Sequence, residues 1–212
     1  MVVKSTKRAT APKPKASARL SARDRLLAAA DELFYSEGVH VVGIDRIVER
    51  AGVAKASLYS TFGSKEELVR AYLDKHFRNR QRSIERILAA HNAPREKLLG
   101  VFAEFEMALA GSEFRGCRFI MASAEGRPGD ASKVVSDEYR SWLRSVFTDL
   151  VEAAGAKDPK QLGRQLALLY DGSAVAARMD QDRRGAAIAM RSAVEALLDA
   201  AIPPKRKSTR TP

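Results

Sequence analysis

The chain has 212 residues, 45% of them hydrophobic, with a formal net charge of +11 and a single cysteine. That is apolar material for a packed core in one or two domains, and one cysteine excludes an intrachain disulfide. No apolar run approaches the ~18–20 residues that span a bilayer, and the basic N-terminus lacks the apolar stretch of a signal peptide, so no membrane is expected as a partner and the expected location is cytoplasmic.

The charge lies at the ends. Residues 1–20 hold Lys4, Lys7, Arg8, Lys13, Lys15 and Arg19 and no acid, and residues 203–212 hold Lys205, Arg206, Lys207 and Arg210. The 182 residues between them carry only +1. Both ends are rich in Pro, Ser, Thr and Ala with little to bury, so each is predicted to be a disordered basic tail. Three readings stay open for these tails: solvated ends, arms on nucleic acid phosphates, or an address signal.

From Ser21 onward the pattern is helical, with no period-2 run of β-branched residues, so the predicted fold is all-α with about nine helices. Ser21 is placed to cap a first helix with Leu26, Leu27, Ala30, Leu33 and Phe34 along one side, ended by Gly38. Ile44, Ile47, Val48 and Ala51 then mark one face of a short second helix. Gly52 suits the positive φ of a tight turn, and Leu58 and Phe62 lie four apart on a third helix. Two short helices joined by a glycine turn form a helix-turn-helix, whose second helix fits a DNA major groove. With Leu58 and Phe62 turned inward, Lys55, Ala56, Ser57, Tyr59, Ser60 and Thr61 remain outside. They are short or hydrogen-bonding groups suited to base edges and phosphates. An αα turn used only for packing is the alternative reading of the same pattern.

The run from Ala51 to Leu68, AGVAKASLYSTFGSKEEL, closely resembles the signature of the TetR family of bacterial repressors. The resemblance extends back through Leu33-Phe34, Gly38 and Ile44-Asp45-Arg46-Ile47, covering about residues 22–75. It implies a DNA-binding domain over residues 21–65 and a helical ligand-binding and dimerisation domain over residues 66–202. It further implies that Lys55, Ala56, Ser57 and Ser60 face bases and that Tyr59 and Thr61 touch backbone or base edges. Lys65 would hold a phosphate at the start of the fourth helix. One departure stands out: members of the family often carry Thr or Ser where Val42 stands, and Val42-Gly43 offers no side-chain oxygen to cap the second helix.

Further along, Ser64 and Glu67 have capping-box spacing at the start of a long helix toward Ala90. Pro94 restarts the chain, and Gly111 and Gly116 bracket a loop. Arg127-Pro128-Gly129 is a turn, Asp158-Pro159 a further helix start, and Asp180-Gln181-Asp182 the break between the last two helices. As the resemblance implies a dimer, Leu166, Leu169, Tyr170, Ser173, Met190, Val194 and Leu197 on those last helices are its candidate contacts, with packing inside one chain as the alternative. The candidate ligand pocket takes Phe102, Phe105, Glu106, Cys117, Phe119, Tyr139 and Trp142; aromatic residues on helices are more often ordinary core, and Glu106 also reads as a surface group. The string Gly116-Cys117-Arg118-Phe119 with Ala124-Glu125 resembles a pattern in one subset of the family, without assigning a ligand.

The chemistry of an enzyme is not visible. His40, His76 and His91 lack metal-ligand spacing, and no phosphate loop or nucleophile elbow occurs. No catalytic residue, metal or cofactor is expected. The expected protein is a non-enzymatic regulator, most simply a homodimeric repressor released from a palindromic double-stranded operator by a small-molecule effector. A DNA-coating protein acting through its tails is the alternative, and a helical enzyme the remote one.

Overall fold

The computed structural model describes residues 20–202, so the predictions for the two basic tails lie outside the described residues, except at Leu20. Among the described residues there are nine α-helices and no strand. They are α1 (Ala22–Glu37), α2 (Ile44–Ala51), α3 (Lys55–Phe62), α4 (Lys65–Ala90), α5 (Pro94–Ala110), α6 (Arg118–Glu125), α7 (Ala131–Ala153), α8 (Pro159–Met179) and α9 (Arg183–Ala201). None of them is long and apolar enough to cross a membrane.

The helix starts follow local side-chain chemistry. Ser21 accepts a hydrogen bond from the Asp24 amide at 3.1 Å, and Ser64 accepts one from the Glu67 amide at 3.1 Å. Asp158 does the same for Gln161 at 3.0 Å, with Pro159 in the first turn, and Asp182 for Gly185 at 2.8 Å. Each satisfies an amide that the helix leaves without a partner. The second helix lacks such a cap: Gly43 opens α2 in extended conformation with no side-chain bond. Val42 is buried, so this position has given its capping oxygen to the core.

Helices α1, α2 and α3 pack on one another and on the N-terminal end of α4 through Leu26, Ala30, Ile47, Leu58, Leu68 and Tyr72. Farther along, α4 packs against α5 and α7, and α8 joins α7 to α9. A boundary at 65/66 therefore falls in the first turn of a helix shared by both halves, and one apolar cluster runs through the whole. At the α7–α8 crossing Gly163 lies so close to Thr148 that an added Cβ would come within 2.4 Å of its hydroxyl. Only the bare glycine lets the two backbones approach.

Candidate nucleic-acid interface

The turn between α2 and α3 is built on Gly52, which adopts φ 62° and ψ 43°, the left-handed region. Its amide bonds to the Glu49 carbonyl at 3.0 Å, and the Val53 amide bonds to that of Val48 at 3.1 Å, closing the helix end. From α1, Arg25 donates to the Gly52 carbonyl at 2.9 Å and ties the turn to the helix beneath. Leu58 is 0% exposed and anchors α3, while Phe62 is half-buried under the Arg23 guanidinium. That orientation leaves Lys55, Ala56, Tyr59 and Ser60 exposed, Tyr59 at 45%.

Ser57 and Thr61 sit lower on the flank. The Thr61 hydroxyl donates to the Ser57 carbonyl at 2.6 Å and the Ser60 hydroxyl to the same carbonyl at 3.2 Å, so these groups bond to their own helix. Their oxygens keep lone pairs for an incoming donor. Lys55 pairs with Asp45 across the two helix starts at 2.8 Å, and that bond and charge raise its pKa. The arginines of α2 are turned the other way: Arg50 pairs with Glu32 at 2.6 Å and Arg46 pairs with Glu37, both on α1. Lys65 is half-buried and donates to the His40 carbonyl at 3.3 Å. Burial pulls its pKa down, against the charges of Glu125 and Glu66.

Links to the rest of the chain pass through α6, and the sequence reading missed them. At its start, Tyr35 of α1 donates to the Gly116 carbonyl at 3.1 Å and accepts from the Arg115 amide at 2.8 Å. The Arg118 guanidinium lies 3.6 Å from the Tyr35 ring centre, with its Nε 3.7 Å from Asp31. Asp31 also holds His76 at 2.9 Å and Lys75 at 3.0 Å. Burial alone would raise the Asp31 pKa, but those two partners outweigh it and hold the carboxyl well below the usual range. At the other end of α6, Glu125 accepts from the His40 amide at 2.9 Å, fitted into space that only Gly38, at φ 102°, leaves open. Beside it, Glu66 of α4 accepts from the Ala131 amide at the start of α7. No residue spacing announces these contacts, because their partners lie 44 to 87 positions apart.

Among the pocket candidates, Phe102, Phe105, Phe119 and Tyr139 are buried and tightly stacked. Phe119 lies 3.8 Å from Tyr139 and Phe105 3.7 Å from Tyr170, ring centre to ring centre, while Trp142 and Tyr139 flank Phe77. Cys117 is half-buried, and burial pushes its thiol pKa up, against two backbone amides. Glu106 is not brought to this group: it pairs with Arg191 of α9 at 3.1 Å. A polar cluster that the sequence did not suggest stands beside the aromatics. Arg80 donates to Glu104 at 3.0 Å and also to the Tyr170 hydroxyl. Burial pushes Tyr170 up to about 12, against the pull of Arg80.

The dimer candidates of α8 and α9 lie toward the inside of the single chain. Leu166, Tyr170, Ser173, Met190 and Val194 are buried inside this protomer, and Leu169 and Leu197 pack partly against the same core. A 3.6-residue period marks an apolar face without saying whose core it enters. The apolar residues that α8 and α9 leave outside are Leu168, Val175, Met179 and Ile188, with the small Gly172 between the first two.

The model of the bacterial regulatory proteins of the tetR family matches residues 26–72, the span of this reading head. Over 83 residues the chain is 39% identical to the HTH-type transcriptional activator FasR of Mycolicibacterium smegmatis, covering 39% of this chain and 38% of FasR. Over 91 residues it is 38% identical to the transcriptional repressor KstR2 of the same organism, covering 41% of this chain and 42% of KstR2. The matches thus span about two fifths of the length of both relatives. The likeness to solved structures runs much farther. A TetR-family transcriptional regulator from Streptomyces coelicolor superposes with a TM-score of 0.82 at 32% identity, over 86% of this chain and 96% of that one. A TetR-family regulator from Cytophaga hutchinsonii, 19% identical, shares the fold with a TM-score of 0.76 over 88% of this chain and 100% of its own. The helix-turn-helix, the nine helices of the described residues and the near-complete alignment at 32% identity with the Streptomyces coelicolor regulator agree: the chain belongs to the TetR family of DNA-binding transcriptional regulators.

Proposed function

We propose that this regulator is a non-enzymatic homodimeric repressor that holds a palindromic operator and releases it when a small molecule binds its C-terminal half. The observation that carries the reading is the exposure pattern of α3. Leu58 anchors the helix from below, and Lys55, Ala56, Tyr59 and Ser60 stand clear, with Ser57 and Thr61 on the flank. Short side chains at Ala56 and Ser60 allow the helix to lie deep in a major groove. Lys65 and the start of α4 suit a phosphate.

Two such heads reading one duplex must sit about 34–36 Å apart. The stripe Leu168, Gly172, Val175 and Met179 on α8, with Ile188 on α9, supports pairing of two copies there, since large apolar groups on one exposed face mark a contact surface. The proposed sign of regulation is that in KstR2's name, a repressor, and not that in FasR's, an activator. Gel-shift titration against the DNA upstream of its own gene tests the proposal, together with a reporter driven by that DNA. A retarded band that resists bulk competitor and a reporter that rises on deleting the protein are expected. Binding no stronger than to random duplex would overturn it.

A further inference from the structure

Where the starts of α2 and α3 meet, Lys55 Nζ lies 2.8 Å from Asp45 Oδ1, and both side chains stand in the open, at 52% and 83% exposure. An exposed pair adds little to stability, so the fold has small need of it. A carboxylate at a nucleic-acid face is moreover repelled by phosphates. The arginines of α2 do not offset that charge, since Arg46 and Arg50 are held by Glu37 and Glu32 of α1. Gly43, two positions before Asp45, has a φ of −80° that any residue adopts, and a Cβ there would meet no atom within 4 Å. The fold therefore does not demand glycine at a position where a Ser or Thr would cap α2. What the bare position does provide is room for a duplex to come close to this corner.

The ion pair matches one base pair in one orientation. Across the major groove a G·C pair shows the N7 and O6 acceptors of guanine, then the N4 amino donor of cytosine. O6 and N4 are joined by an N–H···O bond of about 2.9 Å, which is the spacing of the Lys55 and Asp45 atoms. An ammonium over O6 and N7, with the carboxylate over N4, satisfies every polar group on that edge. With the pair turned round, the cation faces the amino group and the anion faces O6. An A·T pair also sets a donor beside an acceptor, but there adenine N7 repels the carboxylate and the thymine methyl crowds the ammonium. Resting on the reading of α3 as the base-contacting helix, we propose that the Asp45–Lys55 pair reads a single G·C pair in each half-site, Lys55 on the guanine and Asp45 on the cytosine amino group. Asp45 is then a specificity-determining residue on the helix before the reading helix. Its charge is matched on that one base pair and left unmatched on others, which separates the right sequence from the wrong ones.

Selection from a pool of random duplexes by the full-length protein, followed by competition gel shifts on single-pair exchanges, tests this. The wild type is expected to enrich a site with a G·C pair in each half, whose exchange for A·T or C·G weakens binding about tenfold. In Asp45→Asn the amide still accepts from cytosine but also donates, so wrong pairs gain more than the right one and the penalty should shrink to about twofold. Discrimination at every other position should stay at its wild-type level. Lys55→Met should lose discrimination at the same pair, and the double variant should lose no more than the worse single one. Thermal midpoints should not move, since both residues are exposed. An Asp45→Asn protein that keeps full discrimination everywhere would overturn the assignment. A loss spread evenly over the half-site, as a displaced α3 would give, or effects of the two variants on different base pairs, would overturn it as well. A wild type that enriches no sequence would instead sink the reading of α3, and this proposal with it.

Discussion

Tyr59 and Ser57 differ in what they offer to DNA. Tyr59 projects a free hydroxyl and an aromatic face, whereas Ser57 sits on the flank with its carbonyl taken by Ser60 and Thr61. Tyr59→Ala is expected to reduce operator preference by about 1–3 kcal/mol while random-sequence binding stays level, as competition gel shifts would show. Lys55 is a different case, because its cation is held by Asp45 in the free protein. Asp45→Asn should tighten binding to any duplex and steepen the salt dependence without moving the thermal midpoint, since exposed pairs add little to stability. At Asp31 the sign follows from its lowered pKa. The carboxylate's contribution is present above the ordinary unfolded value near 3.8 and is lost as pH falls through the lower folded value. Denaturant unfolding should therefore show Asp31→Asn costing about 1–2 kcal/mol at pH 7, with the gap to wild type closing as pH drops below about 4.

At the scale of the element, the reading head depends on a turn that only one residue type adopts easily. The nearest atom to a Cβ at Gly52 would be an Arg25 nitrogen at 3.7 Å, so Gly52→Ala meets no clash and bears only the strain of its left-handed backbone. That strain is about 1–2 kcal/mol, to be read as a lower thermal midpoint with secondary structure retained. Gly38 should tolerate change less, because its Cβ would also meet the Glu125 carboxylate at 2.6 Å. These positions were readable in the sequence since a glycine after an apolar run signals a helix end. The missing cap at Val42 was readable too, but its reason was not: burial of that side chain is a tertiary fact.

Across the whole molecule, the proposed function requires two copies at a set spacing. Leu168 is 64% exposed and Met179 74%, on a face of α8 that no other described part of the chain covers. Leu168→Glu with Met179→Glu is expected to give a folded monomer by light scattering, with operator affinity reduced at least a hundredfold. A dimer that survives both changes would place the interface elsewhere. Folding itself should survive, since the α8–α9 seam is held by Leu166, Tyr170 and Val194 inside the protomer.

The amino-acid sequence by itself determined the helical class, the helix starts at Ser21, Ser64 and Asp158, and the glycine-turned reading head. All of these are local, set by side chains within a few positions of one another. Only the tertiary structure decided that Leu166 and Val194 face inward while Leu168 and Met179 face out. It alone brought Glu125 to His40. Periodicity reports that a helix has an apolar side. Which neighbour takes that side depends on packing between segments far apart in the chain, where no short-range rule operates.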